Sequence, residues 1–234
     1  MTRFAPLLSP LGRWYAVLAV LASVAAVRAS LFPSWPRATP LSMDSVLHSL
    51  RKVGLRPEPV ITTAADKQGD RSQELSVSAP LVLRLPGGEE LRLVHGAFRQ
   101  RYALQTAAIA AKSPDTKLEE RVIFAKPAPF AEGRIKGQPA RQTCFVPQAQ
   151  KTNALGATNE QILIWIDSTT GGRTAKALRM LGFIPARDYS CTLISLRSNN
   201  NAPINPLLWN QIIAALPAGL SEISIGAIRA SPPP

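Results

Sequence analysis

The chain has 234 residues, room for one sizeable domain or for one domain plus an anchor, and its apolar share of 46% is that of a globular protein. Twenty-one prolines and an aromatic share of 6% argue against a helical bundle and for a domain of many short elements and turns. Lys plus Arg outnumber Asp plus Glu by 27 to 15, but the basic residues are scattered rather than packed into a block, which argues against nucleic acid; anionic lipid or acidic polysaccharide is the partner within reach of an exported chain, with a solvated basic surface as the alternative.

The first 29 residues hold Arg3, Arg13 and Arg28 and no acid; without them 24 basic residues face 15 acidic ones, a surplus of nine. Fourteen uncharged residues, Trp14 to Val27, lie between Arg13 and Arg28. That is the length of a signal-peptide core and short of the ~20 residues of a full span. Phe4 to Gly12 is uncharged too, and Trp14, Tyr15, Phe32 and Trp35 stand where an aromatic belt would lie. Arg13 and Arg28 have stems long enough to reach the two interfaces. Residues 1–30 therefore read as an uncleaved, single-pass signal anchor in the cytoplasmic membrane, with the remaining chain on the extracytoplasmic (periplasmic) side. Cleavage near Val27-Arg28-Ala29, with secretion of the domain, is the alternative; a buried helix is the third option.

Residues 31–39 carry Pro33 and Pro36 and form a linker. Thr39-Pro40 resembles a helix cap, and Met43, Val46, Leu47, Leu50 and Val53 follow at helical spacing up to Gly54. From Leu75 the period changes to two. Leu75, Val77, Leu81, Leu83 and Leu85, the turn Pro86-Gly87-Gly88-Glu89, and then Leu91, Leu93 and His95 predict a hairpin. Residues 98–112 fit strand or helix, 114–120 a short turn or helix, and 121–125 a strand. Residues 126–142 are rich in Pro and Gly; with Arg121 they bring together Lys126, Arg134, Lys136 and Arg141. Thr143 to Val146 reads as a strand. The unbroken apolar run Gln161 to Ile166 predicts a central strand buried on both faces. A helix over 174–181, a strand over 189–196 and a last helix follow. Asn205-Pro206 caps that helix, Leu208, Trp209, Ile212, Ile213 and Leu216 share its stripe, and Pro217 ends it. The fold class is α+β: a compact domain over 40–229 with a mainly antiparallel sheet and two to four helices, and a disordered tail over 230–234.

Catalytic and ligand-binding patterns are sparse. A Cys-His nucleophile pair would need Cys144 or Cys191 beside His48 or His95, and no motif places them together. A zinc site from the same four residues lacks a close pair of ligands. Ser168 to Thr174 lacks the lysine and glycine spacing of a phosphate loop. Asp167, Asp188, Glu119 and Glu120 show no paired-carboxylate arrangement. Arg173, Lys176 and Arg179 recur every three residues and give a basic face that suits acidic headgroups or an acidic partner, with a plain solvated face as the alternative. No cofactor, metal or catalytic residue is expected. Cys144 and Cys191 are the only cysteines; beyond the membrane a disulfide is favoured over two separate buried thiols.

Ala140-Arg141-Gln142-Thr143-Cys144-Phe145-Val146-Pro147 and Leu181-Gly182-Phe183-Ile184-Pro185-Ala186-Arg187-Asp188-Tyr189-Ser190-Cys191-Thr192-Leu193, behind such a leader, resemble the cyanoexosortase system-associated proteins, cyanobacterial accessory proteins of exosortases. The likeness covers the leader and residues 140–197. It implies a membrane-anchored, non-enzymatic role beside a membrane-embedded exosortase, which processes C-terminal sorting signals of exported proteins and is linked to exopolysaccharide. It also implies that Cys144 and Cys191 are paired. An extracytoplasmic binding module for acidic polysaccharide or cell-envelope components is the rival reading.

Overall fold

In the computed structural model, residues 10–31, 38, 40–60, 75–98, 106–125, 128–146, 154–168 and 189–229 are described. The chain divides into two compact units, residues 1–35 with 170–187 and residues 36–169 with 188–234. In the first, the described element is helix α1 (Pro10–Leu31). Among the described residues no helix is long and apolar enough to cross a membrane.

The second unit is α+β, built on one nine-stranded sheet. In chain order the strands are β1 (Glu58–Pro59), β2 (Leu75–Val77), β3 (Leu81–Arg84), β4 (Glu90–Phe98), β5 (Glu119–Phe124), β6 (Phe130–Ile135), β7 (Gln138–Phe145), β8 (Leu155–Gly156) and β9 (Tyr189–Arg197). The path runs β1-β3-β4-β9-β7-β6-β5, with β2 on β4 and β8 on β7. Every pairing is antiparallel. The hairpin expected over 75–95 is present, but its first strand is split into β2 and β3, both pairing with β4, and β4 runs on to Phe98, with nine of its residues paired to β9. Strand β9 lies at the centre, between β4 and β7, although it is the last strand in the chain.

Partners in register share a face of the sheet. One face carries Leu91, Leu93, His95, Leu196, Ile194, Thr192, Arg141, Thr143 and Phe145. The other carries Glu90, Arg92, Val94 and Gly96, with Ser195, Leu193 and Cys191 opposite them. Helix α3 (Thr106–Lys112) covers part of this second face, and its Ile109 fills the space that Gly96 leaves by lacking a side chain.

Helix α2 (Met43–Lys52) buries Val46, Leu47 and Leu50 on one stripe, as its spacing predicts. Its cap is Ser42, whose Oγ accepts from the Ser45 N–H, rather than Thr39-Pro40. Gly54 ends it with φ +83°, a backbone state that glycine enters without strain.

Helix α5 (Pro206–Arg229) starts as expected, with the Asn205 side chain accepting from the Leu207 N–H at 3.0 Å. Trp209, Ile212, Ile213 and Leu216 are buried, each side chain worth roughly 1.5–3 kcal/mol against exposure. Pro217 does not end the helix; it sits inside it. The proline forfeits one helical hydrogen bond, and the packing beyond it offsets that loss: Leu220 is buried, and Gly219 lies directly against Ser45 and Ser49 of α2.

Two further expectations are corrected. Gln161 to Ile166 is not a strand but lies within helix α4 (Asn159–Ser168). Thr158 and Gln161 form a reciprocal cap: Thr158 Oγ1 accepts from the Gln161 N–H, and Gln161 Oε1 accepts from the N–H groups of Ala157 and Thr158. The strand expected to begin at Thr143 begins at Gln138 as β7, and with β6 it makes the Pro- and Gly-rich stretch before it a hairpin. It turns on Lys136 and Gly137, at φ 51° and 77°, the paired positive angles of a two-residue turn matched to strand twist. The helix expected over 174–181 and the tail 230–234 lie outside the described residues.

Candidate functional site

The two cysteine segments meet at the centre of the sheet. Cys144 on β7 and Cys191 on β9 are joined by a disulfide, with Cα atoms 5.8 Å apart and neither residue exposed to solvent. A bridge there staples the strands that hold the centre of the sheet, across 47 positions of chain. It also consumes both sulfurs, so the Cys-His nucleophile and the Cys₂His₂ zinc site are excluded as arrangements of this fold. Among the described residues no group of three or more His, Cys, Asp or Glu is placed to hold a metal ion.

His95 does not end its strand, as the sequence suggested, but sits in the middle of β4. It is only 7% exposed, with Nδ1 3.0 Å from Thr192 Oγ1. Burial lowers its pKa from the ordinary 6.5 to about 4, because the apolar surroundings penalise the charged ring. His95 is therefore neutral at physiological pH. Its partner Thr192 shares its face, and Cys191 lies opposite Gly96 on the other face. His48 stands exposed on α2, apart from both.

On the second face a charge network closes one end of the sheet. Glu90 meets Arg197 at 2.9 Å and Arg92 at 3.4 Å, and Arg92 reaches Asp115 at 3.2 Å. Asp115 lies in the 3-10 turn Pro114–Thr116 and also pairs with Lys136 at 2.5 Å. The hydrogen bond from Lys136 lowers the Asp115 pKa, helped by the charge of Arg92 and opposed by partial burial. Gln142 fixes the same turn, donating to the Thr116 carbonyl at 2.6 Å and to Ser195 Oγ at 3.2 Å. Among the described residues the Nε atoms of Arg92 and Arg197 are buried without a partner, so each guanidinium is held through its terminal nitrogens. The network positions the β6–β7 turn.

The basic residues gathered by the sequence around 121–141 are mostly tied into the fold. Arg141 lies over the Phe130 ring at 5.0 Å and meets Glu132 at 3.5 Å. Arg121 donates to the Ala157 carbonyl, and Arg134 to the Gly137 carbonyl at 3.2 Å. Lys126, Asp188 and the basic face Arg173, Lys176 and Arg179 lie outside the described residues. Glu119 and Glu120 lie exposed on β5.

A concave surface remains that the sequence reading missed. At the end of α2 the chain reverses at Gly54 and passes Arg56 and Pro57 into β1. Arg51, Leu55, Arg56 and Glu58 border a cleft of about 540 Å³ there. Arg51 also borders a second, shallower hollow of about 410 Å³ with Asp44 and His48. Neither guanidinium has a hydrogen-bond or ion-pair partner among the described residues. The available signal was the cationic cluster Arg51, Lys52 and Arg56 around a helix-ending glycine.

Comparison with protein-family models, with curated proteins and with solved structures returns no match.

Proposed function

We propose that the chain is a membrane-anchored, non-enzymatic accessory protein of an exosortase system, with its α+β domain on the extracytoplasmic side. The observation that carries this reading is the Cys144–Cys191 bridge. It links the two segments on which the family resemblance rests, and a structural disulfide of this kind belongs to an oxidising compartment.

Helix α1 adds support for the anchor. It exposes Trp14, Tyr15, Val17, Leu18, Val20, Leu21, Val24 and Val27 round most of its circumference. Water disfavours so much apolar surface, and lipid accepts it. The fourteen uncharged residues of its core measure only ~21 Å against a hydrocarbon layer of ~30 Å. The long stems of Arg13 and Arg28 and local bilayer thinning make up the difference. The exosortase is the partner on this reading, and the disulfide-stapled domain is a rigid body presented to it.

The experiment is co-purification. Full-length tagged chain, extracted from membranes of its native cells in mild detergent, should recover the multi-spanning exosortase. A preparation that is intact, membrane-derived and free of exosortase sinks the reading.

A further inference from the structure

We propose that the surface running from Asp44 to Glu58 is a binding groove for an extended acidic polysaccharide, one bearing carboxylate or sulfate groups. Arg51 borders both hollows, so they follow one another along α2 and into the turn before β1. Both are open to solvent, and two in sequence suit a linked polymer laid along the surface better than one compact, enclosed ligand.

The charges fit that occupant. Arg51 and Arg56 flank the Gly54 reversal in the chain and line the same cleft, and both are exposed and unpaired among the described residues. A guanidinium offers a planar fork of donors that matches a carboxylate or sulfate two bonds at a time. Glu58 shares the cleft with them, and Arg84, opposite it in the β1–β3 register, adds a further exposed cation beside it. Asp44 and Glu58 also border the hollows, where their carboxylates are acceptors for sugar hydroxyls. The surplus of nine basic residues beyond the leader favours approach of any polyanion, and the groove fixes where it stays.

The assignment rests on the extracytoplasmic placement proposed above, but its test does not involve the exosortase, so either reading can fail alone. Full-length protein in detergent micelles is titrated with polygalacturonate, with galacturonate monomer, with uncharged dextran and with phosphatidylglycerol vesicles. Saturable binding to polygalacturonate, at least tenfold weaker for the monomer and absent for dextran, is expected. Arg51→Ala/Arg56→Ala should weaken it about tenfold, and Arg51→Gln/Arg56→Gln should do the same, while the equally cationic-depleted Lys117→Ala/Arg134→Ala should leave it within about twofold. Equal losses in both pairs mean general charge attraction and overturn the groove. Monomer binding as tight as polymer overturns the polysaccharide, and arginine-dependent binding to vesicles alone replaces it with a lipid surface. No binding to polygalacturonate overturns the proposal outright.

Discussion

Cys144 and Cys191 sit on adjacent antiparallel strands but not opposite one another: Cys144 faces Leu193 in register, and the bridge runs diagonally across the ladder. The diagonal ties β7 to β9 without replacing a backbone pair, so it adds to the ladder's own hydrogen bonds. Closing 47 positions of chain is worth about 4 kcal/mol in the chain-entropy model. Cys144→Ala/Cys191→Ala should therefore lower the melting temperature by roughly 8–16 °C, measured by calorimetry. Reductant should lower the wild-type value by a similar amount and leave the variant unchanged. Mass spectrometry of unreduced protein should show the two cysteine peptides linked; two alkylatable thiols would refute the bridge.

His95 makes stability depend on pH in a defined window. Its pKa is 6.5 when unfolded and about 4 when folded, so between these values the unfolded chain binds a proton that the native chain refuses. Stability from this group is complete above pH 6.5 and is lost as pH falls toward 4, by about 3 kcal/mol in all. Asp115 also has a lowered pKa, but its contribution is lost only below its ordinary value of 3.8, outside this window. Urea midpoints between pH 4 and 7 should fall steeply for wild type and more gently for His95→Gln. Parallel profiles for the two proteins would show that the buried imidazole is not the cause.

The charge network predicts an asymmetry between two single substitutions. Glu90 lies between Arg92 and Arg197, whose side chains are 10% and 19% exposed. Glu90→Ala leaves two adjacent guanidiniums poorly hydrated and, for Arg197, without its carboxylate, and should cost about 2–3 kcal/mol. Lys136→Ala removes a side chain that is 63% exposed and should cost less than ~1 kcal/mol, although its ion pair is the shorter one. Equal costs in chemical denaturation would mean that distance rather than burial sets the energy.

The parts of this fold legible in the sequence are those where one periodicity admits one reading. Alternation through Leu91, Leu93 and His95 marked β4, and the run Tyr189 to Leu196 marked β9. The stripe Trp209, Ile212, Ile213 and Leu216 marked α5. Gln161 to Ile166 admitted two readings, because an unbroken apolar run fits a buried strand and a buried helix alike. The deciding information lay outside the run, in the Thr158–Gln161 capping pair. Lys136-Gly137 was obscured by prolines on both sides, and Pro217 misled because tertiary packing outweighed its local penalty. The cleft beside Arg51 and Arg56 depends on the reversal at Gly54 meeting the edge of the sheet, a contact that spacing along the chain does not encode. Its two arginines were visible; their shared surface was not.

The capping pair of α4 can be tested alone. Thr158→Ala removes the acceptor for the Gln161 N–H and should cost about 1 kcal/mol. Gln161→Ala removes the acceptor for two N–H groups, those of Ala157 and Thr158, and should cost at least as much. Because the two arms share one helix start, the double variant should lose less than the sum of the singles. Strict additivity in urea denaturation would show the arms to be independent.

Gly219 tests why α5 survives its internal proline. A Cβ built there would stand 2.5 Å from Ser49 Oγ and 2.8 Å from the Ser45 carbonyl oxygen of α2. The hydroxyl can rotate away, but the carbonyl is part of the α2 backbone and cannot. Gly219→Ala should therefore push the helices apart and cost about 1–3 kcal/mol, despite alanine's higher helix propensity. Ser49→Gly in the same chain should recover little, since it clears only the side-chain half of the clash. Full recovery in the double variant, read as melting temperature, would show that the backbones of α2 and α5 have slack between them. The continuation of α5 past Pro217 would then need a cause other than close helix packing.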